Sequence, residues 1–485
     1  MNIIPKLKVN TPNYWCSWLT QNEVAKQLYN CADEEEKSLV FLGDQGAQKA
    51  RNVLDENALF GKIGLIYQFP EVRKSLFFML DDGWDVDYDV HPNKSLSSFG
   101  SLSLSEKRFP SCVGNDSERL KQLNEKVKKE GWRGLGIWVC AQKSGEDFDT
   151  PFELDKKIYS YWKERILMSK YAGVEYWKVD WGVQCESDGF RKMLTDLGKE
   201  FFPELIIEHA SCHHPINGDF EKGKTRFIDN EGSKIKFENT AKYSEVFRSY
   251  DVTDPLSVST TLDRVQFLLG INSGLINCED ELYLGAVLGC CVGVMRSKYA
   301  NPKLDEVIAT ARWHSIAPAF SGGQINVSKE IKSDEHVFDV KDTWFSPIIG
   351  KKVVQSAPRI VARNLQLPTV SGENTPYILL SKNPNGVVSI GAINSSSKNG
   401  QNESLPTVSM NVESPEYIGV FGWFDSLKIN FEKVPKTIYV QSLIRGDAKE
   451  ISLCGKELIL SYDLLKELHL STDGSQSAII VKINY

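Results

Sequence analysis

Apolar and polar positions follow two rhythms along the first two-thirds of the chain. Continuous apolar runs at SLFFML (75–80), GLGIWVCA (134–141), VEYWKVDWG (174–182) and ELIIEHAS (204–211) read as strands. Other segments repeat apolar residues every three or four positions. SERLKQLNEKVKKEGW (117–132) puts Leu120, Leu123 and Val127 on one helical face, with Asp116 as its expected N-cap. DKKIYSYWKERILMSKYAG (155–173) reads as a helix ending at Gly173, and GFRKMLTDLGKEF (189–201) as another. DPLSVSTTLDRVQFLLGI (254–271) and ELYLGAVLGCCVGVM (281–295) also read as helices.

Strand and helix alternating at this spacing imply parallel strands with crossover helices. Most of the strands end in polar residues: Asp81-Asp82, Gln142, Asp180 and Glu208. A parallel barrel carries its reactive groups at those carboxyl ends. A doubly wound sheet shares that rule, but the glycine-rich phosphate turn usual there is missing. The expected fold of residues 1–335 is therefore an α/β architecture, the (β/α)8 TIM barrel. After about residue 335 the runs VVSIGAIN, YIGVFGWF, TIYVQSLI, KELILSY and SAIIVKINY are β-rich, with Gly, Pro, Asn and Ser between them. Residues 336–485 are expected to form a C-terminal antiparallel β-sandwich domain.

Composition narrows the function classes. The 485 residues are 41% hydrophobic and 25% charged, an ordinary globular balance. A net charge of −7 argues against a nucleic-acid partner. No window reaches the roughly 18 apolar residues of a membrane span, and the stretch Leu282–Met295 is too short. The start, MNIIPKLKVNTPNYW, lacks the apolar core of a secretory signal. The ten cysteines form no CxxC pair, and adjacent Cys290 and Cys291 suit a buried helix better than two bridges. Reduced thiols and a cytoplasmic location are expected, or a periplasmic or secreted one if a leader has been removed. The oligomeric state is not legible.

Four carboxylate-bearing segments could do chemistry. Asp81-Asp82-Gly83-Trp84 ends a strand, where two carboxylates can accept bonds from neighbouring sugar hydroxyls and an indole can face a pyranose ring. A helix cap or solvated loop is the structural alternative. In Tyr176–Gly182, alternation puts Lys178 and Asp180 on one face. A buried lysine there keeps the aspartate ionised, as a nucleophile requires. A structural ion pair fits equally. Glu208 stands where its strand emerges, followed by His209, Cys212, His213 and His214, whose spacing matches no standard zinc pattern. In Phe247–Asp254, Asp254-Pro255 makes a good helix opening, which leaves Asp251 freer to act as acid/base beside Arg248.

Taken in order, these segments resemble the α-galactosidase clan, glycoside hydrolase families 27 and 36, from Thr11 to about Arg296. TPNYWCSW (11–18) is similar to the first-strand TPPMGWNSW, LDDGW (80–84) to DDCW or DDGW, and KRFP (107–110) to the RFP before the third strand. GLGIWV (134–139) is similar to that strand, YWKVDWG (176–182) to the K-x-D nucleophile strand, and IIEHAS (206–211) to the fifth strand. FRSYDVTD (247–254) resembles the R-x-x-x-D acid/base loop, and INCEDE (276–281) the late N-P-D-M segment.

The resemblance implies a retaining α-glycosidase, with an oligosaccharide or glycoside as substrate and neither metal nor organic cofactor. Within the clan, α-galactosidase is the leading expectation. α-N-acetylgalactosaminidase, β-L-arabinopyranosidase, another α-glycosidase, or an inactive carbohydrate-binding relative are the alternatives. The resemblance implies Asp180 as nucleophile and Asp251 as acid/base. Arg248 and Asp251 are three apart where family 27 has four, so Asp254 stays open as the alternative. It further implies Asp81 and Asp82 on O4 and O6, Lys178 near O3 and O4, Arg248 and Glu208 near O2, and Trp15 and Trp138 as pocket walls.

Overall fold

The computed structural model describes the chain except residues 30–42, 63, 91–95, 148–149, 211–215, 221–226, 230, 250–256, 272–273, 322–329, 347–350, 396–402 and 454. Eight short strands form a ring: β1 (Tyr14–Cys16), β2 (Phe77–Leu80), β3 (Gly134–Val139), β4 (Tyr176–Val179), β5 (Ile206–Ala210), β6 (Val246–Arg248), β7 (Leu275–Asn277) and β8 (Gly293–Val294). Each pairs in parallel with the next from β1 to β7, and β8 pairs with β1. A parallel bridge from Asn277 to Cys291 closes the ring between β7 and the approach to β8. This is the expected (β/α)8 barrel.

Alternation sorts each strand's residues into two layers. Tyr14, Cys16, Phe77, Met79 and Tyr176 cluster inside the barrel. Trp15, Phe78, Leu80, Leu135, Ile137, Trp177, Val179, Ile207, Phe247 and Ile276 face outward into the core shared with the helices. Gly293 is required by the inner layer, because a Cβ there would lie 2.5 Å from the Tyr14 ring.

The helices depart from expectation mainly at their ends. Helix Asp116–Lys129 is capped by Asn115, not Asp116, in a reciprocal capping box with Glu118. Helix Lys156–Ala172 ends at left-handed Gly173, as its sequence predicts. Helix Val258–Leu269 starts later than expected, with Ser257 at its N-cap. Asp254, the expected cap, lies outside the described residues. The expected helix 281–295 is only Leu282–Leu288, since left-handed Gly289 stops it. Cys290 and Cys291 follow in the extended segment that leads into β8. Cys16, Cys112, Cys140, Cys185, Cys278, Cys290 and Cys291 are free thiols.

Between β5 and β6, strands Asn217–Phe220 and Phe227–Asp229 join the hairpin His336–Ser346/Lys351–Pro358 in a four-stranded sheet beside the barrel. Gln355 Nε2 donates to Asp263 of the Val258–Leu269 helix at 2.8 Å. The rest of the C-terminal part is a sandwich of an eight-stranded and a four-stranded sheet, and the larger sheet takes Ile331–Ser333 as one edge. Its interior is filled by Ile378, Ile390, Val408, Leu427, Ile429 and Val481. Most pairs are antiparallel, and three are parallel.

Barrel and sandwich share a packed seam. Trp313 of helix Asp305–His314 stacks edge-on to Phe421 at 5.9 Å. Ser389 Oγ donates to Val287 O at 2.7 Å, and Arg363 Nη1 to Leu288 O at 2.6 Å. Among the described residues no helix is long and apolar enough to cross a membrane.

Candidate active site

The carboxyl ends of β2, β3, β4 and β6 converge on three carboxylate–cation pairs. Lys178 Nζ donates to Asp81 Oδ2 at 2.7 Å. Arg51 Nε donates to Asp82 Oδ2 at 2.7 Å. Arg248 Nη2 donates to Asp180 Oδ1 at 2.9 Å. Side chains at these sites are nearly or wholly removed from water, so each pair is held in a medium where its attraction is strong and its desolvation costly.

Asp180 directly follows β4, and its carboxylate is held from two directions. Trp138 Nε1 donates to Oδ2 at 2.9 Å, opposite the Arg248 contact on Oδ1. Two charge-assisted donors favour the ionised form. Asp180 keeps 8% of its surface exposed. Its backbone is fixed as well. Arg191, on helix Asp188–Phe201, donates to Asp180 O at 3.2 Å and to Val179 O at 3.3 Å. Ala141 N donates to Trp181 O at 2.7 Å, stapling the ends of β3 and β4. Gly182 makes this staple possible. Its φ is +145°, and a Cβ there would sit 2.7 Å from Ala141 N.

Behind Asp180, Arg248 is a hub. Its Nε lies 3.3 Å from Glu208 and 3.4 Å from Glu279. Glu208 is fully buried. Tyr14 OH donates to its Oε1 at 3.2 Å, and Tyr176 OH and Asn277 Nδ2 each to its Oε2 at 2.7 Å. Burial pushes the Glu208 carboxyl up, against the pull of Arg248. Burial likewise lifts the Tyr14 and Tyr176 hydroxyls well above their ordinary range, so both stay protonated donors. The Cys16 thiol is held protonated by burial and donates to Asp81 Oδ2 at 2.9 Å.

Asp82 sits in a drier corner. Burial raises its carboxyl to about 6, opposed chiefly by Arg51. Asp85 is raised further, to about 7, by burial and then by the charge of Asp82. The Arg51 guanidinium lies over the Phe99 ring at 5.0 Å and the Trp181 ring at 5.8 Å. Trp181 in turn packs on Trp138 at 5.5 Å.

The structure thus brings together Asp81, Asp82, Trp138, Lys178, Asp180, Glu208 and Arg248. Three of the expected site residues, Trp15, Trp138 and Glu208, stand differently from expectation. Trp15 is not a pocket wall. It points outward, packs on Phe78 and Trp132, and donates to Arg296 O at 2.9 Å. The reason is strand alternation, which sends Tyr14 and Cys16 inward instead. Trp138 is 1% exposed, so it acts through its bond to Asp180 rather than as an open wall. Glu208 lies one step deeper than Asp180 and reaches it through Arg248. Asp251 and Asp254 lie outside the described residues, as do Cys212, His213 and His214. His209 faces the helix layer, where Thr195 Oγ1 lies 2.9 Å from its Nε2 and burial drives its pKa well down. Among the described residues no group of three or more His, Cys, Asp or Glu side chains could hold a metal.

Several functional neighbours were not singled out by the sequence reading. Tyr14, Cys16 and Tyr176 follow from alternation applied to β1 and β4, and Asn277 and Glu279 lie within the INCEDE segment already noted. Arg51 and Arg191 come from helices and carry no sequence signal.

No protein-family model matches the chain, and no curated protein matches it. Among solved structures it is similar to a Bacillus halodurans protein provisionally assigned as an α-N-acetylgalactosaminidase, at 11% identity over 99% of both chains with a TM-score of 0.41. It is similar to the Saccharomyces cerevisiae α-galactosidase at 10% identity, over 90% of this chain and 83% of that one, with a TM-score of 0.37. An Anoxybacillus α-amylase matches at 7% identity over 98% of both chains, with a TM-score of 0.39. At scores this low the likenesses assign no chemistry to this chain.

Proposed function

We propose that the barrel mouth is the active site of a retaining α-glycoside hydrolase of the α-galactosidase type, with Asp180 as nucleophile. The observation that carries this reading is the Asp180 carboxylate. It stands at a strand's carboxyl end, accepts hydrogen bonds from Arg248 and Trp138, and is still partly open.

In the proposed reaction Asp180 attacks the anomeric carbon of a terminal α-galactosyl residue. The bond to the leaving oxygen breaks as Asp251, or alternatively Asp254, gives that oxygen a proton. The same acid then takes a proton from water, which cleaves the glycosyl ester and regenerates Asp180. Retention calls for two carboxyl groups about 5–5.5 Å apart. Asp81 and Asp82 offer acceptors to the glycon hydroxyls, and Lys178 offers a donor beside Asp81. Glu208 and Arg248 serve the nucleophile by holding its charge and direction.

The test is hydrolysis of p-nitrophenyl α-galactoside, α-N-acetylgalactosaminide, β-L-arabinopyranoside and α-glucoside by the wild type and by Asp180→Ala. The expected result is turnover of the α-galactoside, abolished in the variant and restored by azide as the β-glycosyl azide. A wild-type product that first appears with inverted configuration overturns the retaining mechanism. Preference for another glycoside in the panel overturns the α-galactosyl assignment.

A further inference from the structure

The helix Val258–Leu269 follows β6, and its N-terminus is closed by residues from beyond the barrel. Ser257, its own N-cap, makes no side-chain bond to the helix backbone. Val258 N donates instead to Ser395 O at 3.3 Å, and Ser259 N to Asp342 Oδ2 at 2.9 Å. Ser259 Oγ donates to Asp342 O at 3.3 Å. The opening N–H groups of a helix are commonly satisfied by the residue just before it. Here the capping carboxyl stands 83 residues away, on the strand His336–Ser346. The register of that strand slips between Phe338 and Thr343, an irregularity of the kind that re-aims a side chain. Asp342 is fully buried, and its Oδ1 makes no hydrogen bond. A buried carboxyl with one oxygen unbonded costs stability, so the fold alone does not favour it.

The same helix is held at its middle. Asn217 N and Gln355 Nε2 donate to Asp263 Oδ2 at 3.1 and 2.8 Å. From this clamped helix Arg264 Nη1 donates to Ser249 O at 3.2 Å. Ser249 N and Oγ donate to Asn277 O at 3.0 and 2.9 Å. Residues 250–256, which include Asp251 and Asp254, therefore run between two tethered ends, Ser249 and Ser257–Ser259.

We infer that Asp342 is a positioning residue of the proposed glycosidase: from a hairpin beyond the barrel it fixes one end of the segment that carries the acid/base, and so serves proton delivery to the leaving oxygen. The inference rests on the glycosidase reading and adds to it a residue outside the barrel. Asp342 touches no reacting atom. Loss of the cap loosens the helix's first turn, and general acid catalysis depends steeply on where the acid stands. The nucleophile is less exposed to that loss. The bonds Asp180 accepts come from Trp138 and Arg248, on strands paired within the barrel.

The experiment reads leaving-group dependence. Wild type, Asp342→Ala and Asp342→Asn, with Asp251→Ala and Asp254→Ala as references, are assayed on the dinitrophenyl, p-nitrophenyl and phenyl glycosides of the accepted sugar. Asp342→Ala should lower kcat/KM by about ten- to a hundredfold on the phenyl glycoside and by less than about threefold on the dinitrophenyl one, the direction in which loss of an acid acts. Asp342→Asn keeps the acceptor for Ser259 N and should stay within about twofold of wild type on all three. Thermal denaturation checks folding, and Asp342→Leu, which fills the space without an acceptor, replaces Asp342→Ala if alanine unfolds the chain. If neither folds, or if every substrate slows equally, Asp342 serves only the fold and the proposal is overturned. A wild-type leaving-group dependence in Asp342→Ala, beside a steepened one in Asp251→Ala or Asp254→Ala, overturns the role of Asp342 alone. A wild type inert on every glycoside, or no steepening in either reference, is a different result, which removes the glycosidase reading or its acid/base and the proposal with it.

Discussion

Trp138 Nε1 and Asp180 Oδ2 are joined by a 2.9 Å hydrogen bond that ties the end of β3 to the residue following β4. With Arg248 on the other oxygen, it fixes the plane of the carboxylate as well as its charge. A tryptophan here is therefore a directing group. Trp138→Phe should lower kcat and kcat/KM together by about ten- to a hundredfold, the range for losing one bond to a charged group. Steady-state kinetics on the best aryl glycoside checks this. A change confined to KM would mean that the indole touches substrate instead.

Trp15 gives the opposite expectation. It is wholly buried between β1 and the helix layer, on Phe78 and Trp132. Trp15→Phe should destabilise the protein by about 1–3 kcal/mol, through lost volume and the orphaned Arg296 carbonyl, with KM unchanged. Urea denaturation and KM together decide it. A raised KM at unchanged stability would return Trp15 to the pocket.

Asp85 supplies a pH signature. Its carboxyl is raised to about 7 in the fold, against about 3.9 in an unfolded chain. The folded state therefore holds a proton that the unfolded state has released between those values. Folding stability must fall as pH rises from about 4 to 7 on account of this group, and level off above. Asp85→Asn keeps an acceptor for the 3.2 Å bond from Leu102 N and removes the titration. The variant should gain stability relative to wild type progressively from pH 4 to 7, read as denaturation midpoints across that range. A pH-independent difference would contradict the buried, raised carboxyl.

Much of this site was legible in the order of residues, and the losses have physical reasons. Alternation over Tyr176–Asp180 put Lys178 and Asp180 on the inner face, where both are found. The same rule applied to Tyr14–Cys16 sends Trp15 outward, against the place it takes in the family motif that the segment resembles. Lys178 was expected to keep Asp180 charged. A bond from it to Asp81 and one from Arg248 to Asp180 are seen, since partners across a barrel also depend on register among strands far apart in sequence. The run 281–295 was overextended as a helix because an unbroken apolar stretch does not distinguish a buried helix from a buried strand. Gly289 is where it turns. The pairing of Asn217–Phe220 with Lys351–Pro358 and the arrival of Arg51 at Asp82 are long-range contacts with no local pattern to announce them.

The central claim is that Asp180 forms a covalent bond to the sugar. Incubating the protein with a 2-deoxy-2-fluoro-α-galactosyl fluoride, then digesting it and sequencing the labelled peptide by mass spectrometry, tests this most directly. The account predicts a single fluoroglycosyl ester on Asp180, absent from Asp180→Ala. A label on another carboxylate, or turnover of the parent glycoside with no ester trapped anywhere, would contradict it.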